Sequence, residues 1–189
     1  MAKLHRGAIR LSAVVAAALL IAGCATGART GAMTVPMSAD TLIADTSPAF
    51  KAIGIGKVSG GSDTNPLWKS NVSDANFRDA LDQSLQVHAM AATENARYLL
   101  NAELVELDRP FAGFDMTVTA KVHYTLVPQA GGAPRLDQIV ETPYTAQFGD
   151  ALIGVERLRL ANEGAIRENI TVIVKKLIET LEAAPKPSS

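Results

Sequence analysis

The chain of 189 residues has one cysteine, Cys24, and three histidines, His5, His88 and His123. Beyond the first 23 residues only two histidines remain, at no spacing that would bring both to one metal ion. There is no nucleophile elbow, no phosphate-binding glycine loop and no hexapeptide repeat, and the last absence removes the left-handed-helix acyltransferases. Basic residues are scattered, whereas nucleic-acid binding needs a clustered basic face, so no nucleic-acid partner is expected. Long apolar runs are also missing. The best one, from Leu11 to Ala22, has 12 residues and is interrupted by Ser12. That is short for a hydrocarbon core of roughly 30 Å.

What is present begins at that run. Lys3, Arg6 and Arg10 precede it without any acidic residue, and small residues follow it. A positive segment, a short apolar segment and a small-residue end together read as a secretory signal covering 1–23. Its last residues, "LIAGC", resemble the processing box of bacterial lipoproteins, in which an aliphatic residue and two small ones precede cysteine. The resemblance implies cleavage before Cys24 and acylation of its sulfur and amino group. Two or more buried acyl chains anchor a protein stably, where one is marginal. Cys24 is therefore expected to be the lipidation site and the contact with the membrane, leaving no thiol for catalysis, disulfides or metal. Loss of 1–23 removes three positive charges and takes the formal net charge from −1 to about −4. By the same resemblance, Ala25 after the cysteine favours the outer membrane, with the protein facing the periplasm.

The segment 24–48, rich in Ala, Thr, Gly and Ser, reads as a flexible tether, with "TLIAD" as a possible short edge strand. A single domain is expected over 49–183, followed by a disordered tail, 184–189. Its first strand lies within "AFKAIGIGKVSGG". Gly54, Gly56 and Gly60 fall inside this strand rather than at a turn into a helix, so they suggest close packing of a helix over it, not a dinucleotide site. Ser73 can cap the next helix, with Val72 and Phe77 at staple spacing. Phe77, Ala80, Leu81, Ser84, Leu85 and His88 share one face, and His88 is expected to be a hydrogen-bonded packing residue. A strand in "ARYLLNAELVELDRP" comes next. In "FDMTVTAKVHYTLV", alternate residues from Phe114 to Leu126 are apolar, which places one face inward and one in water. "LDQIVETPYTAQF" gives a fourth strand, kept to an edge by Pro143.

A helix of about 28 residues closes the chain, with Ile166, Ile170, Ile173, Val174, Leu177 and Leu181 as its apolar stripe. Arg159 and Glu163 occupy the same stripe nearer its start, so those turns are expected to overhang the sheet or to meet a partner. Gly164 hints at a neighbour touching the helix backbone, since glycine there costs about 1 kcal/mol against alanine. The order strand–helix–strand–strand–strand–helix implies an α+β fold. It is a two-layer sandwich, a four-stranded mixed sheet with a parallel first crossover and both helices on one face.

Two places look suited to a partner. The loop "DRPFAGFD" presents Phe111 and Phe114 around a flexible Ala-Gly. The helix face of Arg159, Glu163 and Arg167, spaced i, i+4, i+8, carries a charge ladder. His123 on the polar sheet face, near Lys121 and Asp115, is read as a solvated residue. With the lipobox and this element order in hand, the chain resembles small periplasm-facing lipoproteins of the YajG type and, more distantly, the lipopolysaccharide-assembly lipoprotein, which plugs an outer-membrane barrel. Only Cys24 carries over as a functional residue. The expected function is a lipid-anchored, non-catalytic lipoprotein supporting an envelope assembly or transport complex, with no cofactor or metal. The alternatives are a lipid- or glycan-binding module with a pocket between sheet and helices, or an unfamiliar envelope enzyme with clustered titratable groups.

Overall fold

A computed structural model describes residues 26–64, 71–110 and 113–183. Cys24, Phe111, the signal segment and the tail lie outside the described residues. The elements are α1 (Thr30–Met33), β1 (Ile53–Ser59), α2 (Asp74–Val87), β2 (Tyr98–Asp108), β3 (Met116–Pro128), β4 (Leu136–Ala146) and α3 (Gly154–Glu182). The strands pair in sequence order, β1 with β2 parallel and the rest antiparallel, in one open sheet. This is the expected α+β sandwich, with a short third helix added ahead of it.

Local chemistry explains where the elements start. Ser73 Oγ accepts a hydrogen bond from Asn76 N at 3.2 Å, and Val72 and Phe77 are both buried. In β3 the apolar set from Met116 to Leu126 is buried, with half-exposed or exposed residues between. Phe114 breaks the expected alternation. The strand starts at Met116, and Phe114 stands past its end with 80% of its surface exposed. All six members of the α3 stripe are buried against the sheet, each contributing roughly 1.5–3 kcal/mol by leaving water. Asn169 Nδ2 joins them from the same helix, within 3.0–3.2 Å of Val140 O, Thr142 Oγ1 and Ala120 O. That polar stitch fixes how far α3 can slide along β3 and β4.

Two glycines expected to mark close approaches do so in different ways. A Cβ at Gly56 would collide with the side chain of Asn101, which accepts from Lys57 N at 2.8 Å and fills the break in β1–β2 pairing. The crowding at Gly56 thus comes from the neighbouring strand. Helix α2 instead sends Arg78 to the β1 carbonyls of Ile55 and Gly56, which blunts that edge. At Gly164 a Cβ would enter the ring of Tyr144, so the expected neighbour is the sheet itself. Gly164→Ala gains about 1 kcal/mol of helix propensity and meets a steric cost of about 1–3 kcal/mol. A net loss of stability is expected on urea unfolding, and it should vanish in a Tyr144→Ala background. An equal loss in both backgrounds would show that the ring is not the obstacle.

The segment read as a tether is largely docked. Ala28, Met33, Val35 and Thr41 are buried, α1 packs on α2 and α3, and Val35 N donates to Ser84 Oγ at 3.0 Å. No strand forms at "TLIAD"; Ala39–Thr41 is a 3-10 turn instead. Further on, Lys175 pairs with Asp40 at 2.5 Å and, with Ser38, holds the Asp40 carboxyl down at about 2. That small contribution to stability exists above the usual carboxylate range and is lost as pH falls towards 2.

Candidate functional site: the docked N-terminal strap and the exposed sheet end

The strap is pinned at its start from two sides. Ala28 N donates to Asn71 O at 3.0 Å, and Asn76 Nδ2 donates to Ala28 O at 2.8 Å. Asn71 is in turn held by Arg109, whose Nη1 donates to its Oδ1 at 2.5 Å. Arg109 follows the last residue of β2, so Ala28 sits at the sheet end where β2 stops. Next along the strap, Arg29 offers its backbone N and its guanidinium to the Glu163 carboxylate at 2.8–3.1 Å. Glu163 also accepts from Arg159 Nη1 at 2.9 Å, and Arg159 reaches back to Glu156. Arg167 donates to Ala32 O at 3.1 Å and lies over the Tyr144 ring.

These contacts answer the expectation for the charged ladder. Arg159 is 5% exposed and Glu163 2%, so neither stands free for a partner; Arg29 of the strap closes on Glu163, and Glu163 and Glu156 hold Arg159. Hydrogen bonding by Glu156, aided by the charge of Glu163, raises the Arg159 guanidinium further above its usual value. Arg159 in return, by its hydrogen bond, lowers the half-exposed Glu156 carboxyl.

The same sheet end carries an apolar tip. Met116 of β3 pairs with Ala146 of β4, which brings the chain just before β3 beside the chain just after β4. Phe114 and Phe148 meet there edge to face, centroids 5.8 Å apart, and Leu152 and Ile153 stand exposed next in sequence. Arg157 props this arrangement. Its guanidinium lies 5.0 Å over Phe148 and donates to Ala151 O at 2.5 Å and Gly113 O at 3.4 Å. Phe148 N donates to Asp115 Oδ1 at 2.9 Å. A hollow of about 380 Å³ beside the strap is lined by Arg29, Ala32, Tyr144, Leu160, Glu163 and Arg167, and on its far side by Asp150 of the loop that carries Phe148 and Leu152. Strap and tip are therefore neighbours.

The histidines fall elsewhere. His88 is buried at the C-terminal cap of α2, with Nδ1 donating to Ser84 O at 2.6 Å, as a packing residue would. His123 on the open sheet face bonds Asp137 on β4 at 2.5 Å. Asp115, its expected neighbour, is occupied at the sheet end by Phe148 N. Lys121 stands beside Glu141 on the same open face. Burial pushes the Tyr124 hydroxyl above its ordinary range, so it stays neutral inside the core. Among the described residues, no three of His, Cys, Asp and Glu converge as metal ligands. Nor is any described helix long and apolar enough to cross a membrane.

Sequence comparison adds nothing to this picture, since no family model and no curated protein matches the chain. Solved structures match at the level of the fold. A Xanthomonas campestris protein of the DUF330 family superposes with a TM-score of 0.57 at 12% identity, over 78% of this chain and 91% of its own. A candidate lipoprotein from Caulobacter crescentus gives a TM-score of 0.51 at 15% identity, over 72% of this chain and 95% of its own.

Proposed function

We propose that the chain is a lipid-anchored, non-catalytic lipoprotein of the YajG type. It is acylated at Cys24 and held at the periplasmic face of the outer membrane, where it supports an envelope assembly or transport complex. The observation that carries the reading is the "LIAGC" box, placed four residues before Ala28, where the docked strap begins. A lipid on Cys24 would thus hold a folded body close to the bilayer, which suits a scaffold for neighbouring proteins. The shared fold with a DUF330 protein and with a candidate lipoprotein supports the same class. Among the residues expected to meet a partner, Arg159 and Glu163 are buried within the chain's own charged network. Phe114 stands exposed at the sheet end, and the open sheet face is left for a protein.

The test is an in vivo crosslink on a copy tagged at its C-terminus, purified from membranes and analysed by mass spectrometry. A stoichiometric barrel, transporter or secretion subunit is the expected result. Recovery of the lipoprotein alone would count against an accessory role and turn attention to a bound lipid or glycan.

A further inference from the structure

We infer that the apolar tip formed by Phe114, Phe148, Leu152 and Ile153 is a second membrane contact. It would press the end of the sheet against the bilayer that holds the lipidated Cys24. The inference rests on the lipidation reading above and adds the orientation of the domain.

The argument begins with chain length. An extended chain covers at most about 3.5 Å per residue, so the four steps from Cys24 to Ala28 span no more than roughly 14 Å. Ala28 is fixed between Asn71 and Asn76 at the end of β2. The bilayer surface must therefore lie within that reach of this end, and a free tether of 25 residues is not there to lift the domain away.

Exposed apolar surface is concentrated at the same end. Eight large hydrophobic residues are exposed among the described ones, and four of them form the tip, with Phe114 and Leu152 each 80% exposed. The other four are divided between the strap region (Met37, Leu42) and the open sheet face (Val105, Ile139). The tip is held outward, because Arg157 bonds the backbone of both contributing loops and stacks on Phe148. Apolar patches of this kind on a soluble surface mark contact sites, and Phe, Leu and Ile are side chains that enter the headgroup–acyl boundary. Asp150, between Phe148 and Leu152 in sequence, faces the same hollow as Arg29 of the strap that leads to the anchor.

Energetically the tip needs little intrinsic affinity. Once the acyl chains are inserted, its contact with lipid is an intramolecular event at high effective concentration, so weak insertion is enough to fix orientation. The occupant is lipid rather than protein because the anchor's short reach leaves little room to interpose a partner. The strands then point at the membrane, with the β3–β4 turn at residues 129–135 facing away.

Mature lipidated protein has its only native cysteine blocked by acylation, so an introduced cysteine is a unique label site. A fluorophore is placed at Leu152→Cys or Phe114→Cys, and for comparison at Ala130→Cys in the distal turn. Each protein is reconstituted in phosphatidylethanolamine–phosphatidylglycerol vesicles containing brominated phospholipid. Labels at 152 and 114 are expected to lose half or more of their fluorescence, and the label at 130 to keep it. Unquenched labels at both tip positions on protein that floats with the vesicles would overturn the tip contact while leaving the anchor intact. Equal quenching at all three positions would overturn the orientation. Failure of the protein to float would overturn the anchor and this proposal with it. Shielding of position 152 in cells but not in protein-free vesicles would assign the tip to a protein partner instead.

Discussion

Cys24→Ser is expected to release the protein from the membrane, shifting it from the detergent phase to the aqueous phase on phase partitioning. The physical basis is the arithmetic of acyl chains. Two or more chains buried together bind a bilayer almost permanently, each CH₂ contributing about 0.8 kcal/mol. Serine cannot carry the thioether-linked lipid, and the apolar run from Leu11 to Ala22 is too short to span in its place. The tip around Phe114 offers too little surface to hold the domain once the tethering advantage is gone. Wild-type-like partitioning of the serine variant would refute Cys24 as the anchor.

Glu163→Ala is expected to be the most damaging single change in the charged network, costing about 3 kcal/mol. Glu163 is buried and receives both Arg29 and Arg159. Its removal orphans the Arg29 backbone donor and leaves the buried Arg159 dependent on the half-exposed Glu156. In a domain of this size that loss lowers Tm by roughly 6–12 °C. Arg29→Ala makes the control. Its side chain is 61% exposed, so its loss should cost less than about 1 kcal/mol. Hydrogen exchange at Val35 should speed up in the Glu163 variant, because undocking the strap frees the amide that Ser84 Oγ now holds. A Tm within a degree or two of wild type would mean that the strap is not fastened through Glu163.

The features readable from sequence were those set by neighbours in the chain. The cap at Ser73, the staple of Val72 and Phe77 and the stripe from Ile166 to Leu181 each depend on residues a few positions apart, and each stands in the structure. The β3 alternation held for the same reason up to its first residue. It misplaced Phe114 because periodicity does not mark where the ladder with β4 ends. The strap was misread for a physical cause as well. "CATGARTGAMT" has no apolar period, and a one-turn helix has no stability of its own. Met33 is buried and α1 is held in place by residues far off in sequence, among them Ser84, Arg167 and Glu163, the last 134 residues from Arg29. The same distance hid the fate of Arg159 and Glu163, which looked like an overhanging charged face while Arg29, which closes on Glu163, lay at the other end of the chain. Gly164 pointed correctly to a close neighbour, yet nothing local could name Tyr144.

The central claim, a domain anchored at its N-terminus by a lipid on Cys24, meets its most direct test in the mass of the mature N-terminal peptide from membrane-extracted protein. The account predicts a peptide that starts at Cys24 and carries the added mass of acyl and glyceride groups. A peptide containing residues before Cys24, or one with an unmodified cysteine, would contradict it.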